Sequence, residues 1–218
     1  VILAPNAARL LAEQKEEGSM KILLVGATGT LGRAVAAELG SRHTLISAGR
    51  SSGDVRMDIS DVPSIAAALQ SIGPLDAIVS AAGHVAFAPL LEMTQAQWQL
   101  GLSNKLMGQV QLALHGVAQL RDGGSITLTT GILSTDPIRF GASAAMVNGA
   151  LESFVRSAAL ELPRGIRINA VSPGVLVESM EAYASYFRGF EPVAAARAAM
   201  GFARSVEGGD TGKTYRVV

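Results

Sequence analysis

The sequence predicts a doubly wound α/β fold: a single domain of three layers, α/β/α, built on a parallel sheet. Three observations carry this. Short strand-like runs recur along the chain, among them KILLV (Lys21–Val25), HTLISA (His43–Ala48) and SITLTT (Ser125–Thr130). KILLV holds apolar residues at consecutive positions, as expected of a strand covered on both faces. Helical segments separate the runs, so successive strands are joined by crossovers, which are right-handed between parallel strands. A glycine-rich turn, VGATGTLG, links the first run to the first helix.

After KILLV, AVAAEL reads as a helix and HTLISA as the second strand. PSIAAALQSI is the next helix and DAIVSAAG the next strand. Met93–Leu120 reads as one long helix, SITLTT as a strand and Phe140–Leu162 as a helical segment. RINAVSPG and TYRVV supply the last two strands, and the segment between them is short enough to imply a small substrate cover. These elements place the domain at residues 20–218. Residues 1–19 form an N-terminal extension, in which Asn6 caps a short amphipathic helix from Ala7 to about Glu17 with Leu10 and Leu11 on its apolar side. Gly18-Ser19 before Met20 matches the remnant of an expression tag, so a foreign extension is one reading and a native docked helix the other.

The chain has 218 residues, 49% of them apolar and 17% charged, enough for one well-buried core. Net charge is zero, so neither nucleic acid nor an anionic membrane is an expected partner. The absence of cysteine removes disulfides and thiolate metal sites, and three scattered histidines give no metal-ligand spacing. No apolar run has the length of a membrane span, and the first residues lack a secretory pattern, so the expectation is a cytoplasmic protein that binds a small-molecule substrate.

The turn after KILLV carries the first functional signal. Gly26, Gly29 and Gly32 stand three apart at a strand-to-helix junction. Bare backbone lets a pyrophosphate approach, and the helix start offers unpaired N–H groups and positive dipole character. The candidate cofactor contacts here are Gly26, Thr28, Gly29, Thr30, Leu31 and Gly32, the two threonines adding hydroxyl donors. The second strand ends on Gly49 and Arg50, without the acid that would bind the ribose hydroxyls of NAD. Arg50, with Ser51 and Ser52, suits a 2′-phosphate, which favours NADP(H) over NAD(H); the alternative is a solvated loop arginine. Asp58, with Ile59 beside it, is placed to accept the adenine amino group. Asp61 reads as the cap or first-turn acid of the following helix.

Together these motifs resemble the short-chain dehydrogenase/reductase family over nearly all of Lys21–Val218. GATGTLG is similar to its glycine loop. VSAAG (Val79–Gly83) resembles the motif that ends the fourth strand beside the adenine ribose, which assigns Ala81, Ala82 and Gly83 to the cofactor. SITLTTG resembles the strand that delivers the catalytic serine. GIRINAVSPG (Gly165–Gly174) is similar to the signature near the nicotinamide and assigns Pro173 and Gly174 to it; TGKTYRVV resembles the terminal strand. The resemblance implies a Rossmann-type sheet and an NAD(P)(H)-dependent oxidoreductase.

It also implies a serine, a tyrosine, a lysine and an asparagine in the site, and here the chain departs. FGASA resembles the family's YGASK, which would put Phe140 at the tyrosine and Ala144 at the lysine. Counting back from Arg156 along GALESFVRSAALEL instead puts Ala144 at the tyrosine and Asn148 at the lysine. The second register is preferred, because an insertion inside a continuous helix would rotate its buried face out of the core. In both registers phenol and ammonium are absent; Asn148 joins the candidate cofactor contacts.

Something must still supply a proton to, or stabilise charge on, a reduced carbonyl. Three candidates emerge. Thr130, with Thr129 beside it, stands at the serine position. Lys105 stands at the asparagine position, one residue after Asn104; burial would lower its pKa toward acid–base use, and the plainer reading is a lysine with its stem covered and its ammonium in water. Ser134 follows the serine strand. Tyr183 and Tyr186 lie where the family has a substrate lid, though EAYASYF also fits an amphipathic packing helix. Tyr215 reads as core or interface, Trp98 as packing, His84 as a cleft residue, and His43 and His115 as surface or helix residues. Ser179 could contact the nicotinamide amide.

Two functions fit. One is an NADP-dependent reductase of a small carbonyl or conjugated acceptor with a non-standard proton source. The other is a non-catalytic NADP(H)-binding or sensing protein. Small residues on the two long helices, together with the resemblance, imply a homodimer or homotetramer.

Overall fold

A computed structural model describes residues 18–218. The helix expected at residues 7–17, and with it most of the N-terminal extension, lies outside the described residues. Seven strands form the sheet: β1 (Lys21–Val25), β2 (Thr44–Gly49), β3 (Val55–Arg56), β4 (Leu75–Ser80), β5 (Leu120–Thr129), β6 (Arg167–Pro173) and β7 (Thr214–Val217). Their spatial order is β3-β2-β1-β4-β5-β6-β7 and every pairing is parallel. The order reverses between β1 and β4, and a crevice opens there beyond the carboxyl ends of the strands.

The helices are α1 (Thr30–Gly40), α2 (Val62–Ile72), α3 (Gln95–Leu100), α4 (Gly108–Gly116), α5 (Ala142–Ala158), α6 (Met180–Tyr183) and α7 (Ala195–Glu207). The period-two alternation of β1 explains the two outer layers. Leu23 and Val25 face a core built with α2, α4 and α5 through Ile65, Val110 and Leu151. Ile22 and Leu24 face a second core built with α1 and α7 through Val35, Leu39 and Phe202. This is the single three-layer α/β/α domain, and the Rossmann-type order, that the sequence predicts.

Five elements differ from expectation. The long helix is interrupted by a π-helical stretch, Gly101–Met107, and ends at Gly116. β5 begins at Leu120, five residues before SITLTT, because a bulge at Gly123-Gly124 shifts its register against β4. The two-residue β3 and the whole of α7 lie in segments that the motif reading left without structure. EAYASYF forms only the single turn α6 followed by turns, with Tyr183 against Phe187 and Tyr186 against Phe87. Asp61 does cap α2, its carboxylate accepting from the Ser64 N–H at 3.2 Å.

Candidate active site

The crevice has two halves. The first, a hollow of about 300 Å³, lies over the β1–α1 turn and the end of β2. Gly26 has φ +83°, and a Cβ built there would stand 2.8 Å from the Ala81 carbonyl oxygen. A Cβ on Gly32 would run into the Gly26 carbonyl. The turn is therefore compatible only with glycine, and it leaves bare backbone at the start of α1, whose first turn carries no acidic side chain. Gly29 and Thr28 line this hollow with Arg50, Ser51 and Asp58. The Thr28 and Ser52 hydroxyls lie 3.3 Å apart. Asp54, the first acid after β2, turns back to accept from the Ser47 N–H and hydroxyl at 2.8 and 2.7 Å, and these bonds hold its carboxyl below the usual range. Asp58 accepts from the Ser60 hydroxyl and N–H, which with Arg50 nearby also lowers its pKa.

The second half, a cleft of about 260 Å³, is organised by the end of β5. β4 pairs with β5 only as far as Val79↔Thr127. Beyond that point the β5 carbonyls have lost a ladder partner on that side, and buried carbonyls need one. Three side chains supply it in succession. Gln109 donates to the Thr129 carbonyl at 2.9 Å and accepts from the Thr129 N–H at 2.8 Å. Lys105 Nζ donates to the Thr130 carbonyl at 3.2 Å. Asn148 Nδ2 donates to the Gly131 carbonyl at 3.3 Å. Gln109 and Lys105 sit one turn apart across the end of the π-helical stretch, and Asn148 comes from α5.

Lys105 reaches the cleft across Gly83, where a Cβ would stand 2.7 Å from the lysine Cγ. Gly83 has φ +135°, so glycine is required twice over. No carboxylate among the described residues lies within ion-pair distance of Lys105, and burial lowers its pKa from the ordinary lysine value to about 8. The Asn148 side chain is 2% exposed, and its Oδ1 has no hydrogen-bond partner.

The hydroxyls behave differently from expectation. Thr130 lines the cleft, yet its Oγ1 faces Glu152 Oε1 at 3.3 Å and the Val171 carbonyl at 3.4 Å. Ser134 Oγ donates to the same Glu152 oxygen at 2.6 Å and does not line the cleft. Thr129 donates to the Ser80 carbonyl. Glu152 is 5% exposed, with Arg216 Nη2 at 4.0 Å from its second oxygen. The hydroxyl protons of Thr130 and Ser134 are thus drawn away from the cleft by one buried carboxylate.

One further wall is apolar. Leu133, Ala144, Val175 and Phe187 form a small cluster of their own, each less than a tenth exposed. Phe87 and Tyr183 meet edge-on across the mouth with centroids 5.8 Å apart. Ala144 and Asn148 both face the cleft, whereas Phe140, at φ +67°, lines a separate groove with Tyr186.

A family model described as enoyl-(acyl carrier protein) reductase matches residues 6–215. The chain belongs to the short-chain dehydrogenase/reductase family. Among solved structures, it is 52% identical to the protein lin1944 of Listeria innocua, with TM-score 0.91 over 92% of this chain and 100% of that one. It is 27% identical to a small-chain dehydrogenase crystallised with NADPH, with TM-score 0.81 over 91% of this chain and 96% of that one. Among curated relatives, it is 28% identical to the L-xylulose reductase of Mesocricetus auratus, over 82% of this chain and 75% of that protein. It is also 28% identical to a hydroxynaphthalene reductase-like protein of Metarhizium majus, over 70% of this chain and 66% of the relative.

Short-chain dehydrogenases bind a nicotinamide cofactor, and the residues present fit one: a glycine cradle that a Cβ would fill, and an orphaned buried amide oxygen on Asn148. Of the candidate residues, Gly26, Thr28, Gly29, Arg50, Ser51, Asp58, Ile59, Ala81 and Ala82 line the first half, and Gly83 lines both. Lys105, Thr130, Asn148, Pro173 and Gly174 line the second, with Ser179 and Tyr183. Thr30, Leu31 and Gly32 lie outside both linings; Leu31 packs into the core. His84 spans the two halves. His43 is not a surface residue: its side chain is 6% exposed, accepting from the Met20 N–H and lying 3.0 Å from Glu207. Sequence reasoning missed Gln109 and Glu152. Spacing held the signal: Ala144, Asn148 and Glu152 recur every four residues on one helix face. Among the described residues no group of three metal-ligating side chains occurs, and no helix is long and apolar enough to cross a membrane.

Proposed function

We propose that the chain is an NADPH-dependent reductase of a small carbonyl or conjugated acceptor, with Lys105 as its proton donor. The observation that carries this reading is a half-buried lysine with no acidic partner among the described residues, its ammonium fixed on the Thr130 carbonyl in the cleft that Asn148, Pro173 and Gly174 also line. When bound, the cofactor would supply a hydride to the acceptor carbon. Lys105 then gives a proton to the acceptor oxygen, is left neutral and recovers a proton from water through the open cleft; its lowered pKa suits both states near neutral pH. Asn148 Oδ1 would accept from a ribose hydroxyl. Arg50 and the hydroxyls of Thr28 and Ser52 would receive a 2′-phosphate. The turning away of Asp54 favours that phosphate, because this acid accepts from Ser47 and does not line the hollow. The small-chain dehydrogenase solved with NADPH supports the same choice.

Leu100, Met107, Leu114 and Met146 are each more than 40% exposed on α3, the π-helical stretch, α4 and α5. These apolar side chains support a homodimer built on that helix face. A second reading, cofactor binding without turnover, is favoured by one observation: the Thr130 and Ser134 hydroxyls point at Glu152 rather than at a substrate.

Calorimetric titration with NADPH and NADH, followed by NADPH consumption across carbonyls, quinones and flavins, separates these readings. Tighter binding of NADPH with turnover supports the reductase. Tight binding without turnover of any acceptor supports the sensor.

A further inference from the structure

The cleft walls say more about the acceptor than the family does. Resting on the reductase reading above, we infer that the acceptor is a small, uncharged, planar ring bearing a conjugated carbonyl, of the one-ring quinone or cyclic enone kind. Its ring lies on the wall of Leu133, Ala144, Val175 and Phe187, and its oxygen meets Lys105.

Four observations converge. The cleft is about 260 Å³ before any ligand is placed, below the range that holds drug-sized ligands, so the acceptor is small. Among the described residues Lys105 is the only lysine, arginine or carboxylate in the lining, which leaves no second cation there for phosphate groups and no anion for an amine. One wall is a closed apolar cluster whose smallest member, Ala144, lines the cleft, and the aromatic pair Phe87–Tyr183 stands at its mouth. A polyhydroxylated chain would lose its water against the Leu133, Ala144, Val175 and Phe187 cluster without gaining partners from it; a flat ring would gain dispersion and edge contacts.

The fourth observation concerns charge. Reduction places negative charge on the acceptor oxygen, and the usual solution is two or more convergent donors. Here the Thr130 and Ser134 protons go to Glu152, so Lys105 is the one charged donor that faces the oxygen. A single donor serves best when the charge is spread by conjugation. The step balances: the conjugated system takes one hydride from NADPH, at the β-carbon of an enone or at the far oxygen of a quinone, and the charge that arrives on the near oxygen takes one proton from Lys105, giving an enol that tautomerises to the saturated ketone, or the hydroquinone, with NADP⁺.

The test uses the intact chain with NADPH. Initial rates are compared for methyl-1,4-benzoquinone and cyclohex-2-enone against a ketopentose and acetone. In parallel, methylhydroquinone is titrated calorimetrically into the NADP⁺-saturated protein. The inference expects kcat/KM at least tenfold higher for a ring acceptor than for either open-chain one. It also expects measurable hydroquinone binding that Ala144→Phe weakens at least tenfold while NADPH affinity stays within about threefold. Tyr183→Ala, on the exposed mouth, is a second variant that spares the core, and it should erase the ring preference. Equal or better turnover of the ketopentose overturns the substrate class and leaves the reductase standing. NADPH binding with no turnover of any acceptor and no hydroquinone binding overturns both.

Discussion

Lys105 Nζ donates to the carbonyl of Thr130 at 3.2 Å, so an ammonium carried by the π-helical stretch is fixed at the end of β5. The contact is stretched by hydrogen-bond standards, and it uses only one of three N–H donors. The others remain for a ligand. Every prediction about chemistry starts from this pair.

Because reduction consumes a proton, the proposed activity should track the protonated fraction of Lys105. That fraction is high below its folded pKa of about 8 and falls above it. Acceptor reduction at saturating NADPH should therefore decline tenfold per pH unit once well above that value. A rate independent of pH between about 7 and about 9, one unit either side of that value, would remove Lys105 from the role.

Lys105→Met should lower kcat by about 10²–10⁴-fold, the usual weight of a general acid, while leaving NADPH affinity nearly intact. Stability should move the other way, because desolvation of an unpaired ammonium is removed. Between about pH 8 and the ordinary lysine value, the unfolded chain holds this proton more tightly than the folded one, so wild-type stability rises with pH there. Thermal melts of the variant should lack that rise.

Arg50→Gln should weaken NADPH binding about 10–100-fold and leave NADH binding unchanged, in line with the loss of a charge-assisted bond. The exposed position of Arg50 makes a folding defect an inadequate explanation for such a selective loss. Equal losses for both dinucleotides would contradict the proposed 2′-phosphate contact.

Gly26→Ala forces a Cβ to 2.8 Å from the Ala81 carbonyl oxygen at a φ of +83°. The strain should cost about 1–3 kcal/mol, seen as a melting midpoint lower by about 2–4 °C for each kcal/mol. NADPH affinity should fall with it, since the same backbone forms the cradle.

Glu152→Ala strands the Thr130 and Ser134 hydroxyls beside a new cavity and should destabilise the fold by about 1–3 kcal/mol. Glu152→Gln keeps an acceptor and should cost less. Chemical denaturation of the two variants checks the order.

Much of this protein was legible in the chain itself. Strands covered on both faces, the glycine turn and the Asp61 cap are local: apolar spacing, a missing Cβ and a short carboxylate each act within a few residues. α7 is legible too in the spacing of Ala195, Ala198, Ala199, Phe202 and Val206, although no motif marks it. The candidate cleft was legible only as separate parts. Sequence spacing put Ala144 and Asn148 on one helix face, but nothing local says that Gln109, Lys105 and Asn148 hold three successive carbonyls.

That arrangement follows from where β4 stops pairing with β5, which is a property of the sheet. Likewise, Thr130 and Ser134 looked like free hydroxyls until the fold brought Glu152 behind them. The sequence by itself determined the layers, the cradle and the absence of a phenol on α5. Tertiary structure alone decided which ammonium enters the cleft and which hydroxyls leave it, because those choices depend on contacts between residues more than 15 positions apart, such as Lys105 with Thr130 and Ser134 with Glu152.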